Sequence, residues 1–170
     1  GGVRGRKYPS NPSRQHIRPA WCPVRGWSAG LTEAVLMHAS CVAVKGRGFL
    51  IMGPSGSGKS ALALQLIALG ADLLADDQTE ISRSGDTIVA RCPPTLKGLI
   101  EARGVGILNV KSTAEAQVVL VADLSQPETE RLPPRRRVML LGIEVDLVLG
   151  QGNPHFPASV LCYLTGSRQA

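Results

Sequence analysis

Apolar residues in this chain fall into short runs separated by turn-forming residues, and most of the runs have the length of a strand rather than of a helix. His38-Ala-Ser-Cys-Val-Ala-Val44 is apolar and rich in β-branched residues, Lys45-Gly-Arg-Gly48 reads as a tight turn, and Phe49 to Met52 as the returning strand. Ala61 to Leu69 is long enough for a helix, is made of helix formers, and stops at Gly70. An apolar segment from Ala71 ends in Asp76-Asp77, and Thr79–Ser82 with Thr87–Ala90 across Arg83-Ser-Gly-Asp86 predict a second hairpin. Thr95 to Arg103 has helical spacing with Thr95 as N-cap, so a helix is expected there, closed by Gly104. Strands are expected at 106–110 and 117–122, a polar loop at 125–134, a strand pair at 138–141 and 143–149 meeting at Gly142, and a last helix at 157–164. So many hairpins exclude an all-parallel sheet, and the pattern predicts an α/β domain with a mixed sheet.

Between the strand ending at Met52 and the helix lies Gly53-Pro-Ser-Gly-Ser-Gly-Lys-Ser60, which satisfies G-x-x-x-x-G-K-[ST] at every fixed position. A loop that wraps a polyphosphate must bring backbone N–H groups within hydrogen-bond reach, and residues without side chains permit the approach. The helix N-terminus adds partial positive charge, Lys59 a full one, and the Ser60 hydroxyl a ligand for Mg²⁺. Gly53, Pro54, Ser55, Gly56, Ser57, Gly58, Lys59 and Ser60 are therefore the expected ATP phosphate site.

The net charge of +6 raises the question of a nucleic-acid partner. Arg4, Arg6, Lys7, Arg14, Arg18 and Arg25 stand against Glu33 in the first 36 residues, so nearly all of the excess belongs to that stretch and the remainder is close to neutral. Four prolines and no apolar periodicity make residues 1–36 an expected disordered basic extension, with Met37 the expected translation start, 37–165 the phosphate-loop domain and 166–170 a tail. No nucleic-acid partner is expected. No apolar run reaches membrane-span length, and the four dispersed cysteines suggest buried, reduced thiols, so a cytoplasmic protein is expected.

Asp76 and Asp77 follow an apolar run about one helix downstream of the loop, where nucleotide-binding sheets place a carboxylate for Mg²⁺. Alternation would give the two acids different duties, one toward the metal and one toward a proton donor. His38 reads either as a packed strand residue or as a catalytic one. Glu101 and Arg103 stand either beside a ligand, at a Gly-rich strand entry, or on a helix surface with Glu101 paired to Lys97.

His38, the phosphate loop, Leu73-Leu-Ala-Asp-Asp77 and Leu99-Ile-Glu-Ala-Arg-Gly-Val-Gly-Ile-Leu-Asn-Val110 together resemble the HPr kinase/phosphorylase family in its short form, the catalytic C-terminal domain alone. The resemblance implies a phosphate-loop fold like that of phosphoenolpyruvate carboxykinase, with ATP and Mg²⁺ as cofactors. It implies phosphorylation of a serine on the phosphocarrier HPr, in regulation of the phosphotransferase system, and in bifunctional members phosphorolysis of that phosphoserine. Carried over by position, Lys59 holds phosphate, Ser60 and Glu101 the Mg²⁺, Asp77 is the base supported by His38 and Asp76, and Arg103 lines the reaction centre. Residues 147–154 lack the extra arginine of full-length members. Homo-oligomer formation stays open, as do a small-molecule or nucleotide kinase and a non-catalytic ATP-sensing module.

Overall fold

The computed structural model describes residues 34–150 and 152–169. At its centre β2 (Ala39–Val44) and β3 (Arg47–Met52) form the predicted hairpin, paired antiparallel with Val42 opposite Phe49. Alternation along both strands sends side chains to two cores. Val42, Phe49 and Ile51 face the helices, whereas Cys41, Leu50 and Met52 face the opposite side. All six are essentially inaccessible to solvent, and burying each of the larger ones stabilises the fold by roughly 1.5–3 kcal/mol.

After β3 the chain forms α1 (Lys59–Ala68) and returns as β4 (Asp72–Ala75), which pairs antiparallel with the far edge of β2. Because β2 runs against both neighbours, β3 and β4 point the same way. On the other side of β3 lies β9 (Glu115–Pro127), parallel to it with Met52 opposite Asp123, and β11 (Ile143–Gly150) is parallel to β9 in turn. The C-terminal ends of β4, β3, β9 and β11 thus open on one edge of the sheet. α1 and α2 (Phe156–Thr165) cover one face through Leu62, Leu66, Val160 and Leu164. Arg47 donates hydrogen bonds to the carbonyls of Leu164 and Gly166, fastening the end of α2 to the β2–β3 turn.

The other core is enclosed by β1 (Val35–Met37), β5 (Thr79–Ser84), β6 (Thr87–Arg91) and β10 (Arg136–Leu140). β6 pairs with the first residues of β9 and β11 with its later residues, so one edge of this long strand serves two partners and the sheet forks. The mixed sheet and both expected hairpins are present, and β10–β11 turn at Leu141-Gly142.

Several boundaries differ from expectation. Residues 95–103 are not a helix: a single 3-10 turn at Pro94–Leu96 is followed by β7 (Leu99–Ala102), paired with β8 (Gly106–Asn109) in a separate two-stranded sheet. Leu99 and Glu101 are exposed while Ile100 and Ala102 are buried, a period of two that overrides the local helical spacing. β9 continues to Pro127, into the expected loop, because β11 pairs along its later residues. Residues 1–33, most of the expected extension, lie outside the described residues, but Val35 and Leu36 pair with Ile81 and Glu80 as part of the sheet. His38 stands at the break between β1 and β2 rather than within a strand. Beyond α2, Arg168 donates to the Pro133 carbonyl at 2.6 Å, which ties the expected tail to the domain. Cys41, Cys92 and Cys162 are free thiols. Burial pushes Cys41 up to about 12, whereas Cys162 is exposed, contrary to the expectation of buried thiols.

Candidate functional site

The phosphate loop leaves the end of β3 at Gly53, in a backbone conformation (φ 151°) where a Cβ would come within 2.6 Å of the Ser57 hydroxyl. Glycine is required by contact at that position. Gly58, the N-cap of α1, supplies no side-chain cap, which leaves the first-turn N–H groups available to an anion. Lys59 is buried in that first turn, and its ammonium donates to the carbonyls of Gly53 (2.9 Å) and Pro54 (3.0 Å), bridging the mouth of its own loop. Burial pushes the Lys59 ammonium below its ordinary value, and the charges of Asp77 and Asp76 act against that shift.

Asp76 and Asp77 emerge from β4 on the same edge and face different partners. Asp76 accepts hydrogen bonds from the Ser60 hydroxyl (2.7 Å), the Ser40 hydroxyl (2.9 Å) and the Glu101 backbone N–H (3.2 Å). It joins the phosphate loop, strand β2 and the β7–β8 hairpin at a single carboxylate. Asp77 takes a left-handed backbone conformation (φ 65°), which an aspartate tolerates better than most residues, and this turns its side chain away to His38, with Nε2 to Oδ1 at 2.5 Å. Since a carboxylate only accepts, the ring nitrogen donates. Both side chains are about half exposed, at 46% for His38 and 62% for Asp77, so the pair is open to an incoming group.

Ser60, Asp76, Ser40, Asp77 and His38 are thus linked by hydrogen bonds, with Lys59 near enough for the charges of Asp76 and Asp77 to act on it. Glu101 is joined to the site through its main-chain N–H and has an exposed side chain, and Arg103 is exposed at the hairpin turn. The oxygens of Ser60 and Asp76 that converge here are hard donors of the kind Mg²⁺ takes, so the residues fit that ion. Among the described residues no group of three or more His, Cys, Asp or Glu is placed to hold a metal ion. No helix among them is long and apolar enough to cross a membrane.

Two residues escaped the sequence reading. Ser40 is wholly buried in β2, accepts from the Asp77 N–H (3.2 Å) while donating to Asp76, and so sets the two acids relative to each other. Its signal was one hydroxyl in the otherwise apolar Ala39–Val44 run. Asp123, 2% exposed within β9 opposite Met52, accepts from Ser125 N–H and Oγ where the β9–β11 register shifts. An apolar run ending in an acid marks it, as the same pattern marked Asp76.

Residues 29–128 match the family model described as HPr serine kinase C-terminal domain. The HPr kinase/phosphorylase of Ralstonia nicotianae is 41% identical over 126 residues, 67% of this chain and 39% of that protein. The HPr kinase/phosphorylase of Aromatoleum aromaticum is 41% identical over 132 residues, 69% of this chain and 42% of that protein. The chain spans about two fifths of the length of these curated relatives. Among solved structures, the HPr(Ser) kinase/phosphatase from Coxiella burnetii matches with a TM-score of 0.65 at 28% identity, covering 77% of this chain and 93% of that one.

Proposed function

The chain belongs to the HPr serine kinase C-terminal domain family, and from that premise we propose that it transfers the γ-phosphoryl group of ATP, with Mg²⁺, to a serine hydroxyl on an HPr-like phosphocarrier protein in the cytoplasm, in regulation of the phosphotransferase system. The observation that carries this reading is the Ser60–Asp76 junction, which fixes the phosphate loop to a strand end whose next residue, Asp77, is paired with His38.

In this reading the loop N–H groups and the N-terminus of α1 hold the phosphates, and Lys59 exchanges its two loop carbonyls for phosphate oxygens. Ser60, Asp76 and the Glu101 carboxylate on the neighbouring hairpin would hold Mg²⁺, which when bound neutralises charge on the β- and γ-phosphates. Asp77 takes the proton of the serine hydroxyl as the serine oxygen bonds to the γ-phosphorus and the bond from that phosphorus to the β–γ bridging oxygen breaks, releasing ADP, and His38 keeps the accepting carboxylate oxygen oriented. In the reverse direction the same carboxyl returns the proton. Phosphoryl transfer has a loose transition state, so positioning and charge account for most of the acceleration. The β7–β8 hairpin, with exposed Val105 and Ile107 beside Arg103, offers a protein acceptor a surface next to Asp76.

Intact-mass spectrometry of a purified HPr-like carrier incubated with this protein and Mg-ATP tests the proposal. One added phosphate, placed on serine by fragmentation and absent with Lys59→Ala, is expected. No added mass from a protein that binds ATP would overturn the acceptor assignment in favour of another acceptor or a sensor.

A further inference from the structure

The phosphate loop sits between two flanks of the same sheet edge, and the flanks are chemically opposite. On one side, at the ends of β4 and β2, lie Asp76, Asp77 and His38. On the other, beyond β9 and β11, a cleft of about 400 Å³ opens between α1 and α2 and runs continuously from Ser57 and Gly58 of the loop itself. That volume is within the range of small-molecule sites, about 300–1,000 Å³. No charged side chain lines it. Its walls are apolar at Leu62, Leu124, Phe156 and Pro157, with the amides of Gln65 and Gln126 at hand.

A nucleotide whose γ-phosphate faces Asp77 must send its other end away from the acids, and the cleft is what lies there. Its uncharged lining does not suit a further phosphate. Apolar walls accept the faces of a planar heterocycle, and carboxamides, which both donate and accept, can match the polar edge of a base. The Ser57 hydroxyl, buried without a hydrogen-bond partner where loop and cleft join, is a polar group placed for the ribose or α-phosphate end of such a ligand.

Given the ATP reading above, on which it rests, we infer that this cleft holds the nucleoside half of the nucleotide, and that Gly152, Phe156 and Pro157 form one wall of the base site. The matched family segment ends at residue 128, whereas Gly150, Gly152, Phe156 and Pro157 all lie past it. The base site is thus shared between that segment, through Leu62, Gln65, Leu124 and Gln126, and the part of the chain beyond it, whereas the phosphate loop lies wholly inside the segment.

Two substitutions fill the cleft without removing core. A Cβ at the exposed Gly152 would meet nothing within 4 Å, so Gly152→Phe projects a ring into open space, and Gln65→Trp does the same from the exposed flank of α1. Calorimetric titration with Mg-ATP and with Mg-tripolyphosphate, which shares the phosphates and lacks the nucleoside, reads the result on whichever variant keeps the wild-type melting transition. Expected is a loss of ATP affinity of about tenfold or more with tripolyphosphate affinity unchanged. Unchanged affinity for both ligands, or equal loss of both, would overturn the nucleoside assignment while leaving the phosphate site standing. A wild-type protein that binds neither would overturn the ATP reading itself and this assignment with it.

Discussion

His38 Nε2 lies 2.5 Å from Asp77 Oδ1 although 39 residues separate them in the chain. The contact exists because β2 and β4 are adjacent and antiparallel, so that the residue before one strand meets the residues after the other. Asp76, next in sequence to Asp77, is engaged by Ser60, Ser40 and the Glu101 N–H instead. Two neighbouring carboxylates are thereby given separate environments, one tied to the phosphate loop and one paired with His38 and open to solvent.

Lys59 is buried, but its ammonium bonds only to carbonyls of its own loop. Lys59→Ala is therefore expected to abolish phosphoryl transfer and weaken ATP binding while the protein keeps its circular dichroism spectrum and cooperative melting. Global unfolding of the variant would show that the lysine supports the fold rather than a ligand.

Ser40 offers a different test, because its hydroxyl is both donor to Asp76 and acceptor from the Asp77 N–H. Ser40→Ala removes its bond to the Asp76 carboxylate together with the partner of the part-buried Asp77 N–H, and should cost about 1–3 kcal/mol in urea unfolding. Transfer should slow as well, since the two acids lose their common tether. Wild-type stability together with wild-type rate would remove Ser40 from the site.

Tyr163 on α2 donates to Asp146 at 2.5 Å, and burial followed by that carboxylate pushes its phenol up to about 12. A phenol that ionises later in the folded protein than in the unfolded chain stabilises the fold fully below pH 10. That contribution is lost as pH rises from 10 towards 12, because the unfolded state releases its proton first. The fall in stability over this window should be shallower in Tyr163→Phe, measured by denaturant unfolding at a series of pH values. Identical pH profiles would show that the Tyr163–Asp146 bond is not maintained in solution.

The phosphate loop and the Asp76-Asp77 pair were legible because local grammar specifies them: glycines at fixed spacing, a strand before and a helix after, an apolar run closed by acids. The β2–β3, β5–β6 and β10–β11 hairpins were legible for the same reason, each having turn residues between runs of strand length. Residues 95–103 were not, since Leu99-Ile-Glu-Ala contains good helix formers, and it is pairing with β8 across the Arg103–Val105 turn, with Ile100 and Ala102 buried on one face, that makes it a strand. Ser40 was invisible because nothing near it in sequence distinguishes a bridging hydroxyl from one that packs. The forked sheet depends on β9 serving β6 and β11 in succession, which no local pattern encodes.

The division of labour between the two acids is tested most directly by single-turnover phosphorylation of the carrier, with Mg-ATP binding measured in parallel, for Asp77→Asn. The expected result is binding close to wild type with transfer slowed by about 10²–10⁴-fold, the range a positioned general base supplies. Transfer at the wild-type rate would contradict the assignment of Asp77 as the base.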